Sequence, residues 1–308
     1  MTFIRIATYA QNQTLQNNIA QTQNEVNRTA IQVSSGKVTQ EYSGIASRAL
    51  EVSLFEEDRR LTEQYAQNIT VTRTRLQTVD SRLESLTDLA TQLLGQIQSA
   101  LNGNNLAEVG FDSVAKSYQA EVVALLNGQQ EGRYLFSGNQ TDTLPVDVTD
   151  PAYTPQAGLP GTFTADTDYF QADSSQLSIR IDESTELQYG IAANEPAFEQ
   201  LLRAISYMEY AGANQDKSVL TQSFSLIQSS LDGLSDLRST VGAQLDIIDR
   251  TEKNHKDFGT YISNAISTIE DVDIAAATSR LSFDQVQLQA SYISLQRVTS
   301  LTLLDFIR

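Results

Sequence analysis

All five prolines of this 308-residue chain (Pro145, Pro151, Pro155, Pro160 and Pro196) lie between residues 145 and 196. A proline in a helix interior removes a hydrogen bond and clashes with the preceding turn, at about 3 kcal/mol or more. The two flanks can therefore run as long continuous helices, and the middle cannot.

The first flank carries a heptad. Ile69, Leu76, Leu83, Ala90 and Ile97 lie seven apart. Tyr65, Thr72, Val79, Leu86, Leu93 and Ala100 form the second seam, with only Thr72 polar. Two apolar positions in each seven make the narrow stripe of a coiled coil. The pattern predicts a helix of about 50 residues ending near Asn102-Gly103-Asn104. A second helix is expected over 111–130, with Val114, Tyr118, Val122 and Leu125 on one face.

The second flank repeats the pattern. Leu220, Ile227, Leu234, Val241, Ile248, His255, Ile262 and Ile269 are seven apart. Gly233, Gly242 and Gly259 interrupt it, each weakening the helix by about 1 kcal/mol relative to alanine. Such a helix is held by packing more than by propensity. The chain ends carry weaker stripes, Ile19, Val26 and Val33 near the start and Ile274, Leu281, Leu288 and Leu295 near the finish. Their polar positions hold Gln, Asn, Ser and Thr instead of Glu and Lys. Alone in water these helices would be marginal, so they are expected to order against each other or against neighbouring subunits.

Between the flanks the period changes to two. Leu144, Val146 and Val148 alternate with polar or proline residues, as do Leu177, Ile179 and Ile181, which reads as short half-buried strands. Asp150-Pro151 and Leu159-Pro160-Gly161 signal turns. A helix with Phe198, Leu201, Leu202, Ile205 and Met208 is expected to start at Pro196. The fold class is thus mainly α. The N- and C-terminal segments form a long antiparallel coiled-coil rod, with a small β-rich insertion between them.

Composition narrows the chemistry. The chain has 38 acidic and 21 basic residues, a net charge of -17, which disfavours nucleic acid and anionic membrane surfaces. It has no cysteine, so disulfides, thiolate nucleophiles and Cys-ligated metals are out. His255 is the sole histidine, and at an apolar heptad position it reads as a partly exposed or hydrogen-bonded helix residue instead of a pH switch or a base. Asp147, Asp150, Asp166, Asp168 and Asp173 lack the spacing of a calcium loop and read as a solvated acidic face. No segment reaches the roughly 18 apolar residues of a membrane span. Residues 1–20 carry no apolar core of a secretory signal. No catalytic, cofactor or metal set converges, so no enzyme is expected.

Three motifs carry a family resemblance. Ser34-Ser35-Gly36-Lys37 resembles the Ser-Ser-Gly-basic signature after the first helix of bacterial flagellins and their junction relatives. Gly132-Arg133-Tyr134-Leu135-Phe136-Ser137-Gly138 resembles a motif of the hook-filament junction branch of that family. The tail Leu301-Thr302-Leu303-Leu304-Asp305-Phe306 is similar to the family's apolar C-terminus. The sequence departs after the first motif, where Val38-Thr39-Gln40-Glu41-Tyr42 stands in place of Asn and an acidic pair. The Gly132–Gly138 stretch, with no Gly-Lys-Ser/Thr after it, is not a phosphate loop. It reads as a helix end entering a strand, with Arg133 pairing to a nearby carboxylate.

The resemblance implies a layout: terminal helices (1–40 and 272–308) forming an inner tube and ordering on assembly, a helical rod (41–135 and 192–271), and an outer insertion (136–191). It implies an assembly interface of Ile19, Val26, Val33, Ile274, Leu281, Leu288, Leu295, Leu301 and Leu304. Implied partners are other copies of the chain, a neighbouring hook-associated protein, flagellin and a cytoplasmic export chaperone for the C-terminal region. The implied route is type III export to an extracellular flagellum. The function so implied is an adaptor between hook-associated proteins and filament. A filament flagellin and an unrelated coiled-coil binding module are the alternatives.

Overall fold

The computed structural model describes residues 2–103, 110–160 and 164–307, with side chains from 10 to 297 within those ranges. Helix makes up 71% of the chain, so sheet can only decorate it. In order come α1 (Thr2–Ser35), a 3-10 turn (Tyr42–Ile45), α2 (Ala49–Asn102), α3 (Phe111–Leu126), β1 (Gln129–Gln130), β2 (Arg133–Tyr134), β3 (Leu177–Arg180), β4 (Glu186–Tyr189), α4 (Pro196–Asn214), α5 (Lys217–Glu270) and α6 (Ile274–Ile307). The chain divides into two compact units, residues 1–60 with 258–308, and residues 61–257. Both α2 and α5 contribute to each.

The unit of residues 61–257 holds the main core. Both α2 seams are buried from Ile69 to Ala100, and so is the α5 stripe from Leu220 to His255. Each fully buried aliphatic removes about 1.5–3 kcal/mol worth of apolar surface from water. Across the seam, Arg73 of α2 bridges Asp249 at 2.9 Å and also Glu252. Arg238 of α5 returns the pattern by reaching Asp80 at 3.1 Å. Helix α4 starts at Pro196 in its first turn, as expected, and buries Phe198, Leu201, Leu202, Ile205 and Met208. Two α5 hydroxyls fasten it: Ser223 Oγ donates to Ala204 O at 2.6 Å and Ser230 Oγ to Ala197 O at 2.7 Å. Asp216 caps α5, accepting from Ser218 N at 2.8 Å.

Three local expectations need correction. Helix α3 stops at Leu126, short of 130, because the Asn127 amide pairs with Val146 N and O at 2.9 and 2.8 Å and Gly128 opens a hairpin. Its buried line is Phe111, Ala115, Val122 and Leu126, with Val114, Tyr118 and Leu125 flanking it. Residues 144–148 form no strand; Val146 makes an isolated bridge to Phe170. The second alternation does become β3, paired antiparallel with β4 in a four-residue register from Leu177↔Tyr189 to Arg180↔Glu186. Loops dominate 136–191, packed on Tyr153 and Tyr169, whose rings meet edge to face at 5.3 Å. Asn104 and Gly161 of the expected turns lie outside the described residues.

In the unit of residues 1–60 and 258–308, α1 and α6 pack against each other antiparallel, from the Lys37↔Asp271 bridge outward. Arg280 reaches Glu25 at 3.4 Å, and Tyr292 reaches Gln23 further along. Val52 of α2 and Ile262 and Ile269 of α5 are also buried in this unit.

Candidate assembly site

The end of α1 is built by its signature residues. Gly36 takes φ +71°, the left-handed conformation that ends a helix, and its N–H donates to Gln32 O at 2.9 Å. The chain then runs beside the break between α5 and α6. Val38 N donates to Glu270 O at 2.7 Å and Val272 N to Gly36 O at 2.9 Å. Lys37 Nζ meets Glu270 Oε2 at 2.7 Å, and that hydrogen bond raises the lysine's pKa. Ser35 Oγ accepts from Lys37 N at 3.2 Å, and Ser34 Oγ donates back to Ile31 O at 3.0 Å. Asp273 caps α6 by accepting from Ala276 N at 3.0 Å. The signature thus ties the first helix to the start of the last.

Along this pair Ile19 is buried, and Val26, Val33, Leu281, Leu288 and Leu295 are half-buried. The three leucines share the α6 side of buried Ala277, so they occupy the seam between the two helices. Ile274 stands exposed at the head of α6. Leu301 and Leu304 lie outside the residues whose side chains are described.

A second apolar line on α6 escaped the heptad reading. Phe283, Val286 and Ile293 are 68%, 65% and 52% exposed. Their i, i+3, i+10 spacing puts them on one face, opposite the seam leucines. The signal was present as a second period-3.6 stripe, hidden because a search for one seam stops at the first. A helix apolar on two sides, with a partner on one, has a face left to cover.

The seven-residue motif ahead of the insertion sits in the other unit. Glu131 and Gly132, at φ +52° and +77°, form a two-residue turn between β1 and β2, the primed geometry that matches strand twist. Leu135, Phe136, Ser137 and Gly138 are buried. Phe136 meets Phe198 edge to face at 5.6 Å, and Ala193 N donates to Phe136 O at 2.8 Å. The motif is therefore a hairpin followed by a core plug, and not a helix end entering a strand. Arg133 is exposed and makes no ion pair among the described residues, contrary to the pairing expected for it.

His255 is buried, with Nε2 2.7 Å from Ile181 O and its ring stacked on Tyr65 at 5.7 Å. It holds the β3–β4 hairpin to α5, while Asn68 of α2 grips the adjacent Arg180 O at 3.1 Å. Among the described residues no three histidine or acidic side chains converge on a metal position, and no helix is long and apolar enough to cross a membrane.

An antiparallel pair of terminal helices, two further long helices and a small insertion make this a mainly helical protein. Residues 224–307 match the bacterial flagellin C-terminal helical region, so the chain carries a flagellin-type C-terminal region. Its fold is that of flagellar hook-associated proteins. A protein described as a flagellar hook-associated protein from Vibrio parahaemolyticus aligns at TM-score 0.62 and 17% identity, over 74% of this chain and 100% of that one. FlgL of Bacillus cereus aligns at TM-score 0.56 and 18% identity, over 70% of this chain and 99% of that one. No curated protein sequence matches.

Proposed function

We propose that this chain is a structural subunit of the bacterial flagellum, an adaptor that joins neighbouring hook-associated proteins to the flagellin filament. The observation that carries the reading is the exposed apolar line of Phe283, Val286 and Ile293 on a flagellin-type terminal helix. The hook-associated fold supports the adaptor role. In this reading residues 1–40 and 272–308 form the inner tube, 41–135 and 192–271 the rod, and 136–191 the outer insertion. The line on α6, with Ile19, Val26, Val33, Ile274, Leu281, Leu288, Leu295, Leu301 and Leu304, forms or supports the interface. Ends that bury only part of their apolar surface gain order on joining the tube, which delays premature polymerisation. Subunits stack by heterologous contacts, the kind that closes rings or extends helices.

Export runs through the flagellar type III apparatus to the cell exterior, with a cytoplasmic chaperone covering the C-terminal region before assembly. The role is mechanical, with no catalytic step. A filament flagellin is the second reading, favoured by the C-terminal match alone. The two separate by sedimentation and negative-stain microscopy of the purified chain with short filament seeds and raised sulfate. An adaptor stays unpolymerised and caps hook ends that carry their associated protein. Long filaments grown from the chain alone would establish the flagellin instead.

A further inference from the structure

The chain has 38 acids against 21 bases, so carboxylates outnumber the cations they could pair with. Arg73, Arg203, Arg238 and Arg280 each meet one. Three arginines around the β1–β2 hairpin do not. Arg75 and Arg82 are seven apart on α2 and so share a face. Arg75 Nη2 donates to Tyr134 O at 2.6 Å, and its Nε is buried with no partner. Arg82 lies against the hairpin's base, where a Cβ added to Gly128 would stand 3.0 Å from its Cζ. Arg133 projects from β2, beside Tyr134. None of the three makes an ion pair among the described residues. Burial, and the positive charge of Arg133 after it, lower the pKa of Arg75, the mark of a cation without its counter-charge.

The complementary charge is also on the chain and also unspent. Between residues 136 and 191 lie seven Asp and two Glu against one Arg, which is nine acids to one base. None of these carboxylates forms an ion pair among the described residues. Within one copy, then, the three arginines and the acidic insertion leave each other unpaired. A half-buried guanidinium without a carboxylate is costly to leave so, and a planar fork beside it is suited to bidentate carboxylate recognition.

We propose that Arg75, Arg82 and Arg133 form a carboxylate-receiving surface that docks the acidic insertion of a neighbouring copy of this chain. The proposal rests on the assembly reading above and adds which surfaces meet. It assigns the exposed arginine of the seven-residue motif to selection between subunits, with Arg75 and Arg82 supporting it from α2. Charge contacts of this kind set orientation and partner choice more than bulk affinity.

The test uses the full chain with Arg133→Lys, mixed from isotope-light and isotope-heavy preparations and loaded on hook ends carrying their associated protein. A carbodiimide then joins lysine amines to carboxylates they touch, and mass spectrometry reads the linked peptides. The expected product links position 133 to a carboxylate in 136–191 of the other isotope. A loaded chain whose position 133 links only within its own copy, or not at all, overturns the docking while leaving the adaptor reading standing. A chain that does not load refutes the adaptor reading, and the same cross-link is then scored in assemblies grown with sulfate. Failure to associate in either preparation overturns both. In parallel, Arg82→Glu with Arg133→Glu lowers loading about tenfold or more at unchanged melting temperature. If that pair fails to fold, the neutral Arg133→Gln carries the comparison. Loading equal to the parent chain in the folded variants rejects the proposal.

Discussion

Gly138 shows how little room one position can leave. Its φ is +60°, and a Cβ placed there would lie 1.9 Å from Asp173 O and 2.8 Å from Ser175 O. Both neighbours are backbone, so no side chain can swing away. Gly138→Ala therefore combines a left-handed conformation unsuited to L residues with a clash that displaces the 173–175 loop. The expected loss is about 3 kcal/mol, at the upper end of single substitutions. Urea unfolding of the full chain checks it, and a loss below about 1 kcal/mol would mean that the loop yields freely. Gly132, also at positive φ, has nothing within 4 Å of its added Cβ. Alanine there meets only the conformational cost of the turn. The sequence marks both glycines alike as motif members. Only the fold separates a clash-limited glycine from a turn glycine, because Asp173 approaches from 35 residues away.

At the scale of elements, legibility followed the range of the forces. Heptads are local, so every predicted seam position from Ile69 to Ala100 and from Leu220 to Ile269 is buried, His255 included. The end of α3 and the loops of 144–148 were not readable. Asn127 binds Val146 across 19 residues, and such a pairing competes with helix and strand without leaving a periodic trace. The pairing of Lys37 with Glu270 was invisible for the same reason. Charge pairs across the rod also have no sequence period, yet they give it a pH response. The Arg73 hydrogen bond lowers the pKa of Glu252 below its ordinary 4.5. A depressed carboxyl contributes stability above its unfolded pKa and loses it as pH falls through the folded value. Glu252→Gln should thus weaken the rod near pH 6, and the difference from the parent should fade as pH falls below 4.5 through the folded value. Glu252 is partly exposed, so the difference is small and shrinks with salt. Parallel urea curves at every pH would show that the pair contributes nothing.

For the whole molecule the question is which surface makes it an assembly component. The stripes singled out from the ends, Val26 and Val33 with Leu281, Leu288 and Leu295, are half-buried along the α1–α6 pair. They already have partners inside one chain, so changing them perturbs the fold and the assembly together and cannot tell one from the other. Phe283, Val286 and Ile293 are exposed, with no such partner among the described residues. Replacing all three by serine removes apolar surface that faces water in the free chain, so the melting temperature should stay within the small range of surface substitutions. In the assembled state the rest of these three side chains would be buried, at up to about 1.5–3 kcal/mol per side chain, and their combined loss exceeds what an ordinary subunit contact can spare. The triple serine variant should therefore fold like the parent by circular dichroism and calorimetry, yet fail to cap hook ends under the microscope. If it caps them as well as the parent does, the uncovered line of α6 is not the assembly surface, and the seam residues must part from each other on assembly to supply one.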